Sequence, residues 1–135
     1  MEWAGYLPTD QHPQLYNPAK HSIATANHKI LPDGYQHQLS YEWALPFRHD
    51  RIEEMLSEPK KFSIEDFERM QQDVTSIPAR RFQQVLRKWK GPSDAQARKA
   101  WQQLLDWDTR LTADSAPGLL YELCLLYTSP SPRDS

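Results

Sequence analysis

The stretch Ile23-Ala24-Thr25-Ala26-Asn27-His28-Lys29-Ile30 decides how the rest of the chain is read. Ile23, Thr25 and Asn27 alternate with Ala24, Ala26 and His28, the period-2 pattern of a β-strand. The alanines leave one face narrow enough for another layer to approach closely. Asn27 falls at the strand's end, with His28 on the opposite face. A side-chain amide anchored there is aimed more reproducibly than one on a free loop. The commonest role of such an asparagine is to turn the chain, so its meaning depends on the residues around it.

Upstream, Met1 to Pro18 carries Pro8, Pro13 and Pro18 and no sustained periodicity, so it reads as an extended lead-in that must lie against other polypeptide. Downstream of Pro46 the pattern turns helical. Pro46 opens a helix predicted over Phe47–Leu56, with Ile52, Met55 and Leu56 at helical spacing and an end before Pro59. Ser63 and Asp66 form a capping box in which Asp replaces the usual Glu. The helix they open places Ile64, Phe67, Met70 and Val74 on one stripe. Ile77-Pro78 restarts the chain, Phe82, Val85, Leu86 and Trp89 make a second stripe, and Gly91-Pro92 breaks it. Ser93 is the predicted N-cap of a helix carrying Ala97, Trp101, Leu104 and Leu105. A last helix begins near Asp114 with Leu119, Leu120 and Leu123 as its apolar face. The fold class expected is α+β: mostly short α-helices after a small β element. Residues 1–45 are the extended or strand part and 46–123 the helical part of one domain.

Composition sets outer bounds. The chain has 135 residues, a net charge of −2 and 25% charged residues, so nothing global points to nucleic acid or an anionic membrane. One cysteine excludes an internal disulfide framework and a cysteine-based metal site. No apolar run reaches the ~18 residues of a membrane span, and no basic-then-apolar N-terminus marks a signal peptide. A hydrophobic fraction of 39% suits a surface-rich part of a larger protein.

An ordered set of residues here resembles the penicillin acylase (penicillin amidase) family of N-terminal-nucleophile hydrolases. That family carries N-P-x-x-G-x-I-x-T-A-N-N, then a Trp, then P-[FY]-R-x-x-R-I. The matching residues are Asn17, Pro18, Ile23, Thr25, Ala26 and Asn27, then Trp43, Pro46, Phe47, Arg48, Arg51 and Ile52. Ser63-Ile64-Glu65-Asp66-Phe67 with Gln71 and Asp73 continues the match, as do Trp107-Asp108 and Ala113-Asp114-Ser115. The resemblance runs from about Trp3 to about Leu123, where Trp3 to Pro8 looks like the family's approach to the catalytic strand. Two positions depart from it. His21 stands where the family prefers Gly, which puts the local turn in doubt, and His28 replaces the second Asn.

The resemblance implies a piece of an αββα fold from the large (β) chain of an amidohydrolase, which cleaves a linear amide between an acyl group and an amine. Substrates of that kind include β-lactam side chains and N-acyl homoserine lactones. In the family the nucleophile is the N-terminal Ser of the large chain, freed by self-cleavage. Its own α-amine, with an ordinary pKa of about 7.7–8.0, is the base. That Ser lies upstream of the motif carried here, so this segment alone is expected to be inactive. The partners implied are the rest of the large chain and the small chain of the processed precursor. Asn27 matches the oxyanion-hole asparagine, whose side-chain N–H is worth roughly 3–4 kcal/mol to a tetrahedral oxyanion. Arg51 matches an arginine kept near it, where a guanidinium fork holds site geometry or a substrate carboxylate. Arg48 is read as a structural ion pair. No cofactor is identified, and the family's structural calcium has no ligands located in these residues. Export to the periplasm is implied only by the resemblance.

Other constellations are weaker. His12, His21, His28, His37 and His49 lack zinc-ligand spacing. Asp106 and Asp108 diverge on a helix. Arg80, Arg81, Arg87, Lys88, Lys90, Arg98 and Lys99, with Trp89 among them, read as a solvated helix face, since no nucleic-acid motif accompanies them. Cys124 to Asp134 coincides with one translated reading frame of a widely used transposon-based sequencing adapter. Residues 124–135 are therefore set apart from fold reasoning as an adapter-derived tail. A rival reading keeps only the helices: a small non-catalytic interaction module in which Asn27 merely turns the chain.

Overall fold

Caps written into the sequence place the helices. The computed structural model describes residues 5–128, which hold a short 3-10 turn at Thr9–Gln11 and five α-helices. These are α1 (Phe47–Leu56), α2 (Ile64–Gln71), α3 (Ile77–Leu86), α4 (Ala95–Asp106) and α5 (Ala116–Thr128). The chain divides into two compact units, Met1–Glu58 and Pro59–Ser135. The first contains α1 and the second the other four helices.

In the second unit α2 starts on the capping box expected. The Ser63 hydroxyl accepts from Asp66 N–H at 3.3 Å, and the Asp66 carboxylate accepts from Ser63 N–H at 2.8 Å. That backbone bond, with Lys60 beside it, holds the Asp66 carboxyl down at about 2. The cap's contribution is therefore complete above the ordinary carboxylate range and lost as pH falls through about 2. Ser76 caps α3 through Ala79 N–H at 3.2 Å, with Pro78 in the first turn where its missing N–H costs nothing. The cap of α4 is Asp94, accepting from Ala97 N–H at 2.7 Å, one residue past the expected Ser93. A carboxylate suits the positive end of a helix better than a hydroxyl does. Ser115 opens α5, its Oγ accepting from Gly118 N–H at 3.1 Å.

Ala79, Leu104, Trp107 and Tyr121 form the core of this unit, with Phe82, Leu86, Leu111 and Leu120 packed against it. Tyr121, only 2% exposed, meets Phe82 at 5.6 Å and Trp107 at 5.7 Å between ring centroids. Burial pushes its phenol pKa up, while the Ser76 hydroxyl bonded to it pulls the other way. The carbonyls at the end of α4, orphaned in any helix, are taken by side chains of α3. Gln83 Nε2 donates to Leu104 O at 2.7 Å and Trp107 O at 2.6 Å, and Arg87 Nη2 donates to Leu105 O at 2.8 Å. Past α4 the chain runs antiparallel to Val74–Ser76. Ser76 N–H bonds Thr109 O at 2.9 Å and Leu111 N–H bonds Val74 O at 3.0 Å. This pairing seats Thr109 at φ +64, a left-handed conformation unusual for a β-branched residue.

Three of the expected stripes need correction. On α2, Ile64 is 76% exposed and Phe67 is also exposed, because α2 is too short and too polar to bury its stripe among the described residues. On α3, Phe82 and Leu86 face the core, while Val85 is exposed, as is Trp89 beyond the helix end. On α5 the buried face is Gly118 and Tyr121, not Leu119 and Leu123. Gly118 without a Cβ lets that face approach Ser115 and Leu111, where an added methyl would meet Ser115 Oγ at 2.9 Å. The helix also runs past its expected end at Leu123 to Thr128. Of the adapter-like tail, residues 129–135 lie outside the described residues.

The first unit departs most from expectation. Among the described residues Ile23–Ile30 makes no strand ladder. Its sheet-like pairing is one isolated parallel bridge, His28 to Ala44, with Ala44 N–H donating to Asn27 O at 2.8 Å. A ladder needs neighbouring strands, and the left-handed turn at Asn27 (φ +59) ends the extended run. The expected β element is thus reduced to extended chain. The alternation survives in burial: Ile23, Thr25 and Asn27 are exposed, Ala24 and His28 half-buried, and Ala26 only 7% exposed.

Candidate functional site

Three hydrogen bonds hold Asn27 and the carbonyl before it. Its backbone carbonyl accepts from Ala44, just before α1. From the first turn of α1, Arg48 Nη2 donates both to Ala26 O at 3.0 Å and to Asn27 Oδ1 at 2.9 Å. The left-handed backbone at Asn27 is one that asparagine tolerates better than most residues. A guanidinium carries only donors, so the amide oxygen must face Arg48 and the NH2 must turn the other way. Asn27 is exposed, and no described residue accepts from its Nδ2. The charge-assisted bond at Oδ1 both orients the amide and polarises its N–H. The arrangement is a fixed amide donor on an open surface.

The guanidinium bonded to Asn27 is that of Arg48, which the sequence reads as a structural ion pair and which instead holds this amide. Arg51, one turn along α1, pairs with Glu54 at 3.0 Å. Ala44 bonds Asn27 immediately before the helix begins, which brings the first turn, and so Arg48, closest to the amide. The spacing P-F-R-x-x-R alone does not separate the two arginines.

A second cluster lies beside the first. The His28 ring stacks on His49, with centroids 3.7 Å apart and planes at 27°. His49 Nε2 is 3.5 Å from Glu53 Oε1 and its Nδ1 is 3.9 Å from Asp50 Oδ1. Glu53 is shared with Lys20, whose Nζ approaches to 2.6 Å. His28 Nδ1 is shielded from solvent and has no hydrogen-bond partner. The face of His28 follows from the alternation, but nothing in the pattern signals His49, which occupies an unspecified position of the motif.

His21, in place of the family's Gly, adopts the left-handed backbone (φ +55) that a glycine favours. The turn forms regardless, with His21 N–H on Pro18 O at 2.9 Å. The matched residues of the second unit are structural. Asp73 braces Thr75 through its hydroxyl at 2.9 Å, Trp107 is core, and Asp108 Oδ1 accepts from Arg110 N–H at 2.9 Å. Asp106 accepts from Gln102 at 2.9 Å, so the two aspartates flanking Trp107 have separate partners. Among the described residues no three His, Cys, Asp or Glu side chains are grouped to hold a metal ion. No helix among them is long and apolar enough to cross a membrane.

The sequence model of penicillin amidase matches residues 1–129, nearly the whole chain. The chain belongs to the penicillin amidase family. Among curated relatives, the acyl-homoserine lactone acylase QuiP of Pseudomonas aeruginosa is 30% identical over 133 residues. That alignment covers 89% of this chain and 16% of the relative. QuiP of Pseudomonas fluorescens Pf0-1 is 31% identical, covering 92% of this chain and 17% of its own length. The penicillin acylase 2 proenzyme of Pseudomonas sp. SE83 is 27% identical, covering 89% and 16%. The chain thus spans about a sixth of the length of the penicillin amidase relatives it matches. No solved structure matches it.

Proposed function

We propose that this segment supplies the oxyanion-stabilising amide of an acylase, with Asn27 Nδ2 as the donor and Arg48 as the group that aims it. The observation that carries the reading is the Arg48–Asn27 Oδ1 bond, which leaves the N–H face of the amide outward. In the reaction proposed, a serine nucleophile from sequence outside residues 1–135 attacks the carbonyl of a linear amide. The α-amine of that serine takes its proton. Negative charge then develops on the carbonyl oxygen, where a pre-aimed N–H is stronger than in water and needs no reorganisation.

The substrate class is an acyl group joined to an amine, of the N-acyl homoserine lactone or β-lactam side-chain type. The names of the relatives support it, as does family membership. The remaining parts of the enzyme would be the rest of the large chain and the small chain of a processed precursor, acting in the periplasm. Cys124 to Asp134 would contribute nothing to it. A free-standing helical interaction module is the poorer account, since it gives no reason for a family match spanning the extended segment as well as the helices.

Asn27→Asp tests the reading in the complete enzyme encoded around this segment. Aspartate keeps the contact to Arg48 and tolerates the left-handed backbone, but offers no N–H. The expected result is a fall in kcat on the order of 10²–10³-fold with an unchanged melting temperature. Asn27→Gly, which removes the amide without backbone strain, should fall comparably. Wild-type kcat in both variants would remove Asn27 from the chemistry.

A further inference from the structure

The pair His28–His49 has no assigned role, yet it sits where it can govern Asn27. His28 follows Asn27 directly in the chain, so the seat of its ring constrains the left-handed backbone on which the amide is mounted. His49 follows Arg48 directly on α1. The stack at 3.7 Å thus runs beside the Arg48–Asn27 bond and ties the same two segments together. We propose that His28 and His49 are positioning residues for Asn27, their stack holding the amide in its donor geometry. The proposal rests on the oxyanion reading of Asn27.

The surroundings of the pair explain its seat. On the His49 side, α1 supplies Glu53 at 3.5 Å and Asp50 at 3.9 Å, with Lys20 from the lead-in drawing on the same Glu53 oxygen. His28 Nδ1 is shielded and has no hydrogen-bond partner, so the ring rests on His49 through the stack. Deleting the His49 ring removes the surface that supports His28, and with it the constraint on the backbone that carries the Asn27 amide.

Kinetics of the complete enzyme test this. His49→Ala should lower kcat on the order of 10-fold, with KM nearly unchanged. His49→Phe, which keeps a flat ring for His28 to rest on, should restore kcat. Equal kcat in wild type and His49→Ala, or no recovery in His49→Phe, would overturn the proposal. Those results would leave the oxyanion reading standing, because that reading fails only if Asn27→Asp and Asn27→Gly both retain kcat.

Discussion

In the unit Pro59–Ser135, Ala79, Leu104, Trp107 and Tyr121 close a core on which four further apolar side chains pack, whereas among the described residues of Met1–Glu58 the buried apolar ones are Ala26 and Met55. The first unit leaves Tyr6, Tyr16, Tyr41 and Leu45 exposed among its described residues. Its order comes from directed polar bonds: Arg48 to Ala26 and Asn27, Ala44 to Asn27, Lys20 to Glu53. The difference separates two kinds of sensitivity. A unit held by burial loses stability when atoms are deleted. A unit held by a few aimed bonds loses geometry, and so function, while little of its stability is at stake.

Substitutions in the second unit should break that contrast or sharpen it. Leu104, 6% exposed at the centre of the core, should cost about 2–5 kcal/mol when cut to alanine, by lost transfer energy and a residual cavity. Urea unfolding followed by circular dichroism reads this directly, and a cost under about 1 kcal/mol would show that the core is not what holds these helices. Gln83→Leu is the next step down. It removes the amide bonded to Leu104 O and Trp107 O and leaves both carbonyls inside without a donor. The expected loss is about 1–3 kcal/mol in the same titration, and a neutral result would mean that water reaches those carbonyls.

What the sequence revealed follows the same line. Helix positions were legible because their determinants are local: Pro46, the Ser63–Asp66 box, Ile77-Pro78 and Gly91-Pro92 each act within a few residues. Burial on those helices was less legible. Leu119 and Tyr121 are both apolar, and only the absence of a Cβ at Gly118 determines which face comes close. In the first unit, alternation gave correct faces from Ile23 to His28 but not a ladder, since a ladder depends on partners that periodicity does not encode. Asn27 was singled out by motif. Arg48 rather than Arg51 as its partner follows from where Ala44 bonds, a contact between residues 17 apart in sequence. His49 on His28 left no trace in either pattern.

The smallest effect asks whether the first unit carries strain that its polar bonds must overcome. His21 and Asn27 share a left-handed backbone, at φ +55 and +59, but for different reasons. Asparagine is at home there and its amide has a use, whereas the His21 imidazole is exposed and the turn needs only its N–H on Pro18 O. An L-residue in this region costs about 1–2 kcal/mol, and glycine gives back part of that gain through its freer unfolded chain. His21→Gly should therefore stabilise the turn by about 0.5–1 kcal/mol, seen as slower hydrogen exchange at the backbone amides of position 21 and Ala44. Unchanged or faster exchange would mean that the imidazole itself stabilises the turn, and that His at this position is more than a tolerated departure from glycine.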